Sequence, residues 1–278
     1  MIDRLKKGIE ANHSVALRAG NVINLPASGK VIITGDLHGH RRNFERVVSF
    51  ADLKNNPQTF VIFQEILHGG PEDEQGGCLS FELFMDVVSY QLQFPDQVFL
   101  VMGNHDTAII ADNDVMKAGK EMNRALKAAM KRCLGDDYEA VTQAMKDYLL
   151  SQPIAVRCPN RIWISHSLPA DRFVDTFDMT VFDKELAPAD TLRPEPLYLL
   201  TWGRRQSARA LEEFARRLDV DAFIVGHQPQ DQGWRLVEPN TIILASEHNH
   251  GCMITFDLDR RYTVDQLVDS IVPLASIT

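Results

Sequence analysis

Cysteine is scarce in this chain of 278 residues. The four present, Cys78, Cys133, Cys158 and Cys252, form no C-x-x-C pair. That spacing excludes a zinc ribbon and a disulfide framework, and it predicts a reducing compartment. Long apolar runs are missing too. No stretch reaches the length a bilayer requires, and "MIDRLKKGIEANHS" at the N-terminus has no apolar leader segment. The expectation is a soluble cytoplasmic protein with no membrane partner. Basic residues are not in excess: the formal net charge is −9, whereas a general nucleic-acid binder carries a basic face. No nucleic-acid scaffold is expected as a partner. Repeats, low-complexity tracts and a clear linker are also absent. A single domain over residues 1–278 is expected, with its core at about 30–258, and the pattern is silent on oligomeric state.

What is present is an alternation of short β-rich apolar runs with longer helical ones. "KVIIT", "TFVIF" and "QVFLVM" read as buried strands. "RRNFERVVSFADL" and "LSFELFMDVVSYQLQF" between them carry apolar residues at helical spacing. A long helical region is expected from about Thr107 to Leu150, broken near "LGDDY". "IAVRC", "RIWIS", "AFIVG", "TIILAS" and "CMITFDL" then form a strand-rich second half. The proline-rich "ELAPADTLRPEPLY" reads as an ordered surface loop. Alternation in the first half predicts parallel pairing, and the closely spaced later strands predict hairpins. The fold class expected is α/β, with two mixed sheets.

Buried strands stop at polar clusters. "KVIIT" runs into Asp36, His38 and His40; "TFVIF" into "QEILHGG"; "QVFLVM" into Asn104, His105 and Asp106. "RIWIS" leads to His166, "AFIVG" to His227, and "TIILAS" to "EHNHG" with His248 and His250. A lone histidine after a strand is usually a packing or loop residue. Repetition at so many strand ends is a different matter, because strand ends of one polarity converge on one edge of an α/β sheet. Oxygen and imidazole donors without thiolates suit manganese, iron or zinc. Asp36, His38, Glu65, Asn104, His166 and His227 are too many ligands for one tetrahedral ion with an open position. They suit two ions sharing a carboxylate.

In this order and spacing the chain resembles the calcineurin-like metallophosphoesterases, particularly bacterial members of the phosphoprotein-phosphatase branch. "GDLHG" and "GNHD" match the family's first and third motifs, "SHS" and "GHQP" the later histidines, from about Lys30 to Leu258. The resemblance implies two mixed sheets packed as a sandwich and flanked by helices. It implies a binuclear metal site that hydrolyses a phosphate mono- or diester by in-line attack of water on a phosphorylated protein, nucleotide or small molecule. It groups Asp36, His38 and His227 on one metal and Asn104 and His166 on the other, with Glu65 bridging. His105 takes the role of acid toward the leaving group, with Asp106 supporting it from behind. Arg204, or Arg205 in its stead, binds phosphate.

"QEILHGG" departs from the family's second motif. Glu65 replaces the bridging aspartate and reaches one methylene further, so metal spacing is expected to change. His68 replaces the aspartate that supports the acid, and Gly69 replaces an arginine. A neutral imidazole at 68 cannot favour a protonated His105 as a carboxylate does. It is instead available as a further ligand or substrate contact, beside His248 or His250. The alternatives to an active phosphoesterase are a catalytically impaired metal-binding protein with a regulatory role, and different chemistry at the same site.

Overall fold

In the computed structural model, which describes residues 1–117 and 119–277, the strands in chain order are β1 (Arg18–Ala19), β2 (Val22–Asn24), β3 (Lys30–Asp36), β4 (Thr59–Gln64), β5 (Val98–Val101), β6 (Met116–Lys117), β7 (Lys120–Glu121), β8 (Ala155–Arg157), β9 (Ile162–Ser165), β10 (Ala222–Val225), β11 (Trp234–Val237), β12 (Thr241–Leu244), β13 (Cys252–Asp257) and β14 (Ile271–Pro273). The helices are α1 (Ile2–Ser14), α2 (Arg41–Ala51), α3 (Ser80–Gln93), α4 (Asn104–Ile110), α5 (Met122–Leu134), α6 (Tyr138–Ser151), α7 (Asp171–Val174), α8 (Pro196–Trp202), α9 (Ala208–Leu218) and α10 (Val264–Val268). One sheet has the order β14-β13-β3-β4-β5 and a second β1-β2-β8-β9-β10-β12-β11.

Side chains alternate along each strand, and here both faces are covered. Val31 and Ile33 on β3, Phe60 and Ile62 on β4, and Phe99 on β5 form one apolar cluster with Ile162, Ile164, Ile224, Ile242 and Leu244 of the other sheet. The intervening Ile32, Val61, Phe63 and Leu100 belong to the helix-side cluster, with Val47 of α2 and Phe84 of α3. On the far side, Phe223 of β10 stacks on Phe214 of α9. The result is the expected pair of mixed sheets, packed together and flanked by helices. Burial on both faces is why these strands read as continuous apolar runs rather than as alternating ones.

β3, β4 and β5 are parallel, as the sequence predicts. In the second half β8–β9, β11–β12 and β13–β14 are antiparallel. β10, however, runs parallel to both β9 and β12. Between β9 and β10 lie α7, α8 and α9, which supply the long return that a parallel pair requires. The expected Thr107–Leu150 helix is α4, α5 and α6. Its break falls at a 3₁₀ turn over Gly135–Asp137, and the β6–β7 hairpin makes a second interruption. "ELAPADTLRPEPLY" contains a 3₁₀ turn at Pro188–Thr191 and the start of α8 at Pro196. Among the described residues no helix is long and apolar enough to cross a membrane.

Two contacts align the sheets at the functional end. Asp36 and Ala245 form a parallel bridge, and the Ser246 N–H donates to Asp36 O at 3.1 Å. The C-terminal ends of β3, β4, β5, β9, β10 and β12 therefore open on one edge.

Candidate active site

Asp36 ends β3, and its carboxylate accepts the His227 N–H at 3.1 Å on each oxygen. Gly226 makes room for it, since a Cβ there would lie 2.3 Å from Asp36 Oδ1. His38 donates from Nδ1 to the Leu67 carbonyl at 2.8 Å, because a carbonyl can only accept. Its Nε2 is thereby left with a lone pair, 3.7 Å from Asp36 Oδ2, 3.6 Å from Glu65 Oε2 and 3.6 Å from Glu247 Oε2. A lone pair facing carboxylate oxygens is favourable only when a cation lies between them.

Glu65 follows β4 in the left-handed region, at φ 34. Its Oε1 accepts the His105 N–H at 2.6 Å, while the buried Oε2 has no hydrogen-bond partner among the described residues. The added methylene of Glu65 is accommodated at Gly103, where a Cβ would lie 2.2 Å from Glu65 Cγ. Asn104 and His105 open α4, held at fixed angles by its first turn. His166 Nε2 lies 2.9 Å from Asn104 Oδ1 and 3.4 Å from Glu65 Oε1. Its Nδ1 faces Asp36 Oδ1 at 3.6 Å and has no hydrogen-bond partner among the described residues. Arg204 Nε lies 3.0 Å from His227 Nε2, and His227 Nδ1 lies 2.7 Å from Asn104 Oδ1.

Burial dominates the electrostatics. It pushes Asp36 up to about 7, with Glu247 adding to the effect, and Asp106 up to about 7. Glu65 is raised well above the carboxylate range by burial and by the charge of Asp36. Burial and Lys117 bring His38 down to about 4; burial and Arg204 bring His227 down to about 3. His166 is lowered by burial and His227, and His105 by burial and His38. Neutral imidazoles and crowded carboxylates are the protonation states that bind divalent ions best, once the carboxylates release their protons. Ligand atoms of His38, Glu65 and His105 lie within 4.8 Å of one another, and so do those of Asp36, Glu65 and His166. Glu65 belongs to both groups. The donor chemistry and the unpartnered buried atoms fit divalent metal ions.

The residues named from the sequence are distributed unevenly about the cavity. The His227 ring joins Asn104 and His166, not Asp36 and His38; Asp36 receives only its backbone N–H. Asp106 turns back to accept the Gly103 N–H at 2.9 Å, capping α4, and does not line the cavity. His248 and His250 are also off the cavity wall: His248 Nε2 lies 2.9 Å from Gln230 O, and His250 is exposed. Arg204 lines the cavity; Arg205 does not. His68 is buried behind His105, Nδ1 to Nδ1 at 2.5 Å. The cavity, of about 390 Å³, also holds Trp202 and three charged residues that the sequence reading missed, Asp114, Lys117 and Glu247. A larger cleft of about 530 Å³, beside Arg18 and Ser151, contains none of the expected site residues.

The sequence pattern of the calcineurin-like phosphoesterases matches residues 29–231. The chain belongs to the calcineurin-like phosphoesterase family. A protein of Encephalitozoon cuniculi named as a probable serine/threonine-protein phosphatase is 27% identical over 256 residues, covering 84% of this chain and 50% of that protein. The chain thus spans about half the length of this curated relative. A solved protein serine/threonine phosphatase from Saccharomyces cerevisiae matches with a TM-score of 0.69 at 14% identity, over 99% of this chain and 92% of that one. A cold-active protein-tyrosine phosphatase of a Shewanella species matches with a TM-score of 0.61 at 14% identity, over 95% and 84%. At such identities the solved structures share the calcineurin-like phosphoesterase fold with this chain.

Proposed function

We propose that this chain hydrolyses phosphate esters, using two divalent ions (manganese, iron or zinc) held by Asp36, His38, Glu65, Asn104, His166 and His227. The observation that carries this reading is Glu65, a buried carboxylate whose Oε2 faces His38 Nε2 at 3.6 Å while its Oε1 faces His166 Nε2 at 3.4 Å. When bound, such ions lower the pKa of water and offset charge on phosphoryl oxygens. Arg204 holds the phosphoryl group of a phosphorylated protein, nucleotide or small molecule. His105 Nδ1 is turned to His68, so the proton given to the leaving oxygen must come from Nε2, and the ring has to be doubly protonated to supply it. One of the two facing Nδ1 atoms must carry hydrogen. With His105 in that form its Nδ1 donates and His68 Nδ1 accepts. His68 thus fixes the ring of His105 but supplies no negative charge. The chain acts as one domain in a reducing, cytoplasmic setting.

A second reading is favoured by that same contact: a metal-binding protein impaired in catalysis, which regulates or binds phosphorylated ligands. Metal analysis followed by assay with Mn²⁺ on p-nitrophenyl phosphate, its bis-ester, phosphopeptides and dinucleotides separates the two. Two ions per chain with turnover supports the enzyme. Two ions with no turnover on any of these supports the second reading.

A further inference from the structure

Of the residues lining the cavity, Lys117 and Arg204 are the lysine and arginine. Arg204 stands on the His227 side. Lys117 enters from another direction, on β6. Its ammonium pairs with Glu247, whose Oε2 is 3.6 Å from His38 Nε2. The segment carrying it is tied down at both ends. Val115 is buried, and its carbonyl accepts the Met122 N–H at 2.9 Å. Asp114 Oδ1 accepts the Asn123 N–H at 3.0 Å, and Lys120 Nζ donates to Glu72 Oε1 at 2.6 Å. The segment thus positions the Lys117 side chain at the cavity wall, with 32% of it exposed.

The backbone of the second motif cannot supply this charge itself. Gly69 sits at φ +122, and a Cβ there would lie 2.5 Å from His38 O. Any side chain at 69 is strained and blocked.

We infer that Lys117 is a substrate-binding residue. It moves from Glu247 to a phosphoryl oxygen when the ester binds, opposite Arg204. An ammonium on a flexible four-carbon stem is suited to such an exchange, since it is a point charge without a fixed fork. Two cations facing one phosphoryl group favour the dianion of a monoester over the monoanion of a diester. The substrate class is then a phosphomonoester. This rests on the phosphoesterase reading above.

The test uses the Mn²⁺-loaded full chain, with inorganic phosphate as probe, measured by calorimetry and by competition against p-nitrophenyl phosphate. Lys117→Ala should weaken phosphate binding roughly tenfold, leave metal content unchanged, and slow the monoester more than bis-p-nitrophenyl phosphate. Lys117→Arg should recover most of the affinity. Removing Lys117 also leaves Glu247 unpaired, so the double variant Lys117→Ala, Glu247→Gln is needed. Binding that stays weak in it supports direct contact. Binding restored to the wild-type level shows that Lys117 merely neutralises Glu247, and overturns the inference. Phosphate affinity in Lys117→Ala within about twofold of wild type overturns it as well. A wild-type protein that neither binds phosphate nor turns over either ester overturns the phosphoesterase reading and this inference together. Turnover by wild type with an unchanged Lys117→Ala removes this inference alone.

Discussion

The loops after β4 and after β5 enter one cavity from neighbouring strands, yet they are built differently. The β5 loop passes at once into α4, so Asn104 and His105 take their directions from a helical turn, capped by Asp106. The β4 loop has no such frame. Glu65 at φ 34, His68 at φ 68, Gly69 at φ 122 and Gly70 at φ 71 all lie in the left-handed region, which costs a residue other than glycine roughly 1–2 kcal/mol. The loop on the regular element keeps the family's letters; the loop on irregular backbone has changed them. The two nevertheless depend on each other, because Glu65 occupies the space that Gly103 leaves and accepts the His105 N–H. Divergence at one loop is tolerated as far as the other has room for it.

The largest effect should come from the residue that joins the loops. Glu65→Ala removes the shared ligand, so one or both metals should be lost and turnover abolished. Full occupancy by elemental analysis would show that Glu65 does not bridge. Next, His105→Ala should slow turnover by roughly 10²–10⁴-fold, the usual contribution of a positioned acid, with metal content retained. An unchanged rate would remove His105 from that role. Gly103→Ala places a methyl against Glu65 and should cost about 1–3 kcal/mol of stability, as overpacking does, together with metal affinity. Denaturant melts with and without Mn²⁺ separate those two losses.

Smaller effects follow from charge. Asp36 at about 7 and Glu65 above the carboxylate range must release protons to bind a cation, whereas His38 at about 4 and His227 at about 3 are already neutral. Metal affinity should therefore rise with pH through 7, driven by the carboxylates. The increase in Tm caused by Mn²⁺ should be larger at pH 8 than at pH 5.5; an equal shift would contradict the sign. His68→Asp puts a negative charge beside His105, which raises a histidine pKa. The alkaline limb of the pH–rate profile should move upward, and a limb that stays in place would mean that His68 does not govern His105.

The sequence shows the β3, β5, β9 and β10 ends plainly, because Asp36, His38, Asn104, His166 and His227 interrupt runs that are otherwise apolar. It does not show which side chain of a turn faces the cavity. In "EHNHG" the histidines attract notice, but His248 is taken by the Gln230 carbonyl and Glu247 faces the metal ligands. Lys117 is hidden for another reason. A strand of two residues has no period, and β6 lies between segments with a helical pattern. The pairing of β10 with β9 was equally hidden, since the helices that carry its crossover are short and separated by loops.

The most direct measurement is a crystal structure of the Mn²⁺-loaded protein with the anomalous signal of the ions. The expected result is two sites bridged by the Glu65 carboxylate, with Asp36 and His38 at one and Asn104, His166 and the His227 ring at the other. A single ion, or two ions neither of which touches Glu65, would contradict it.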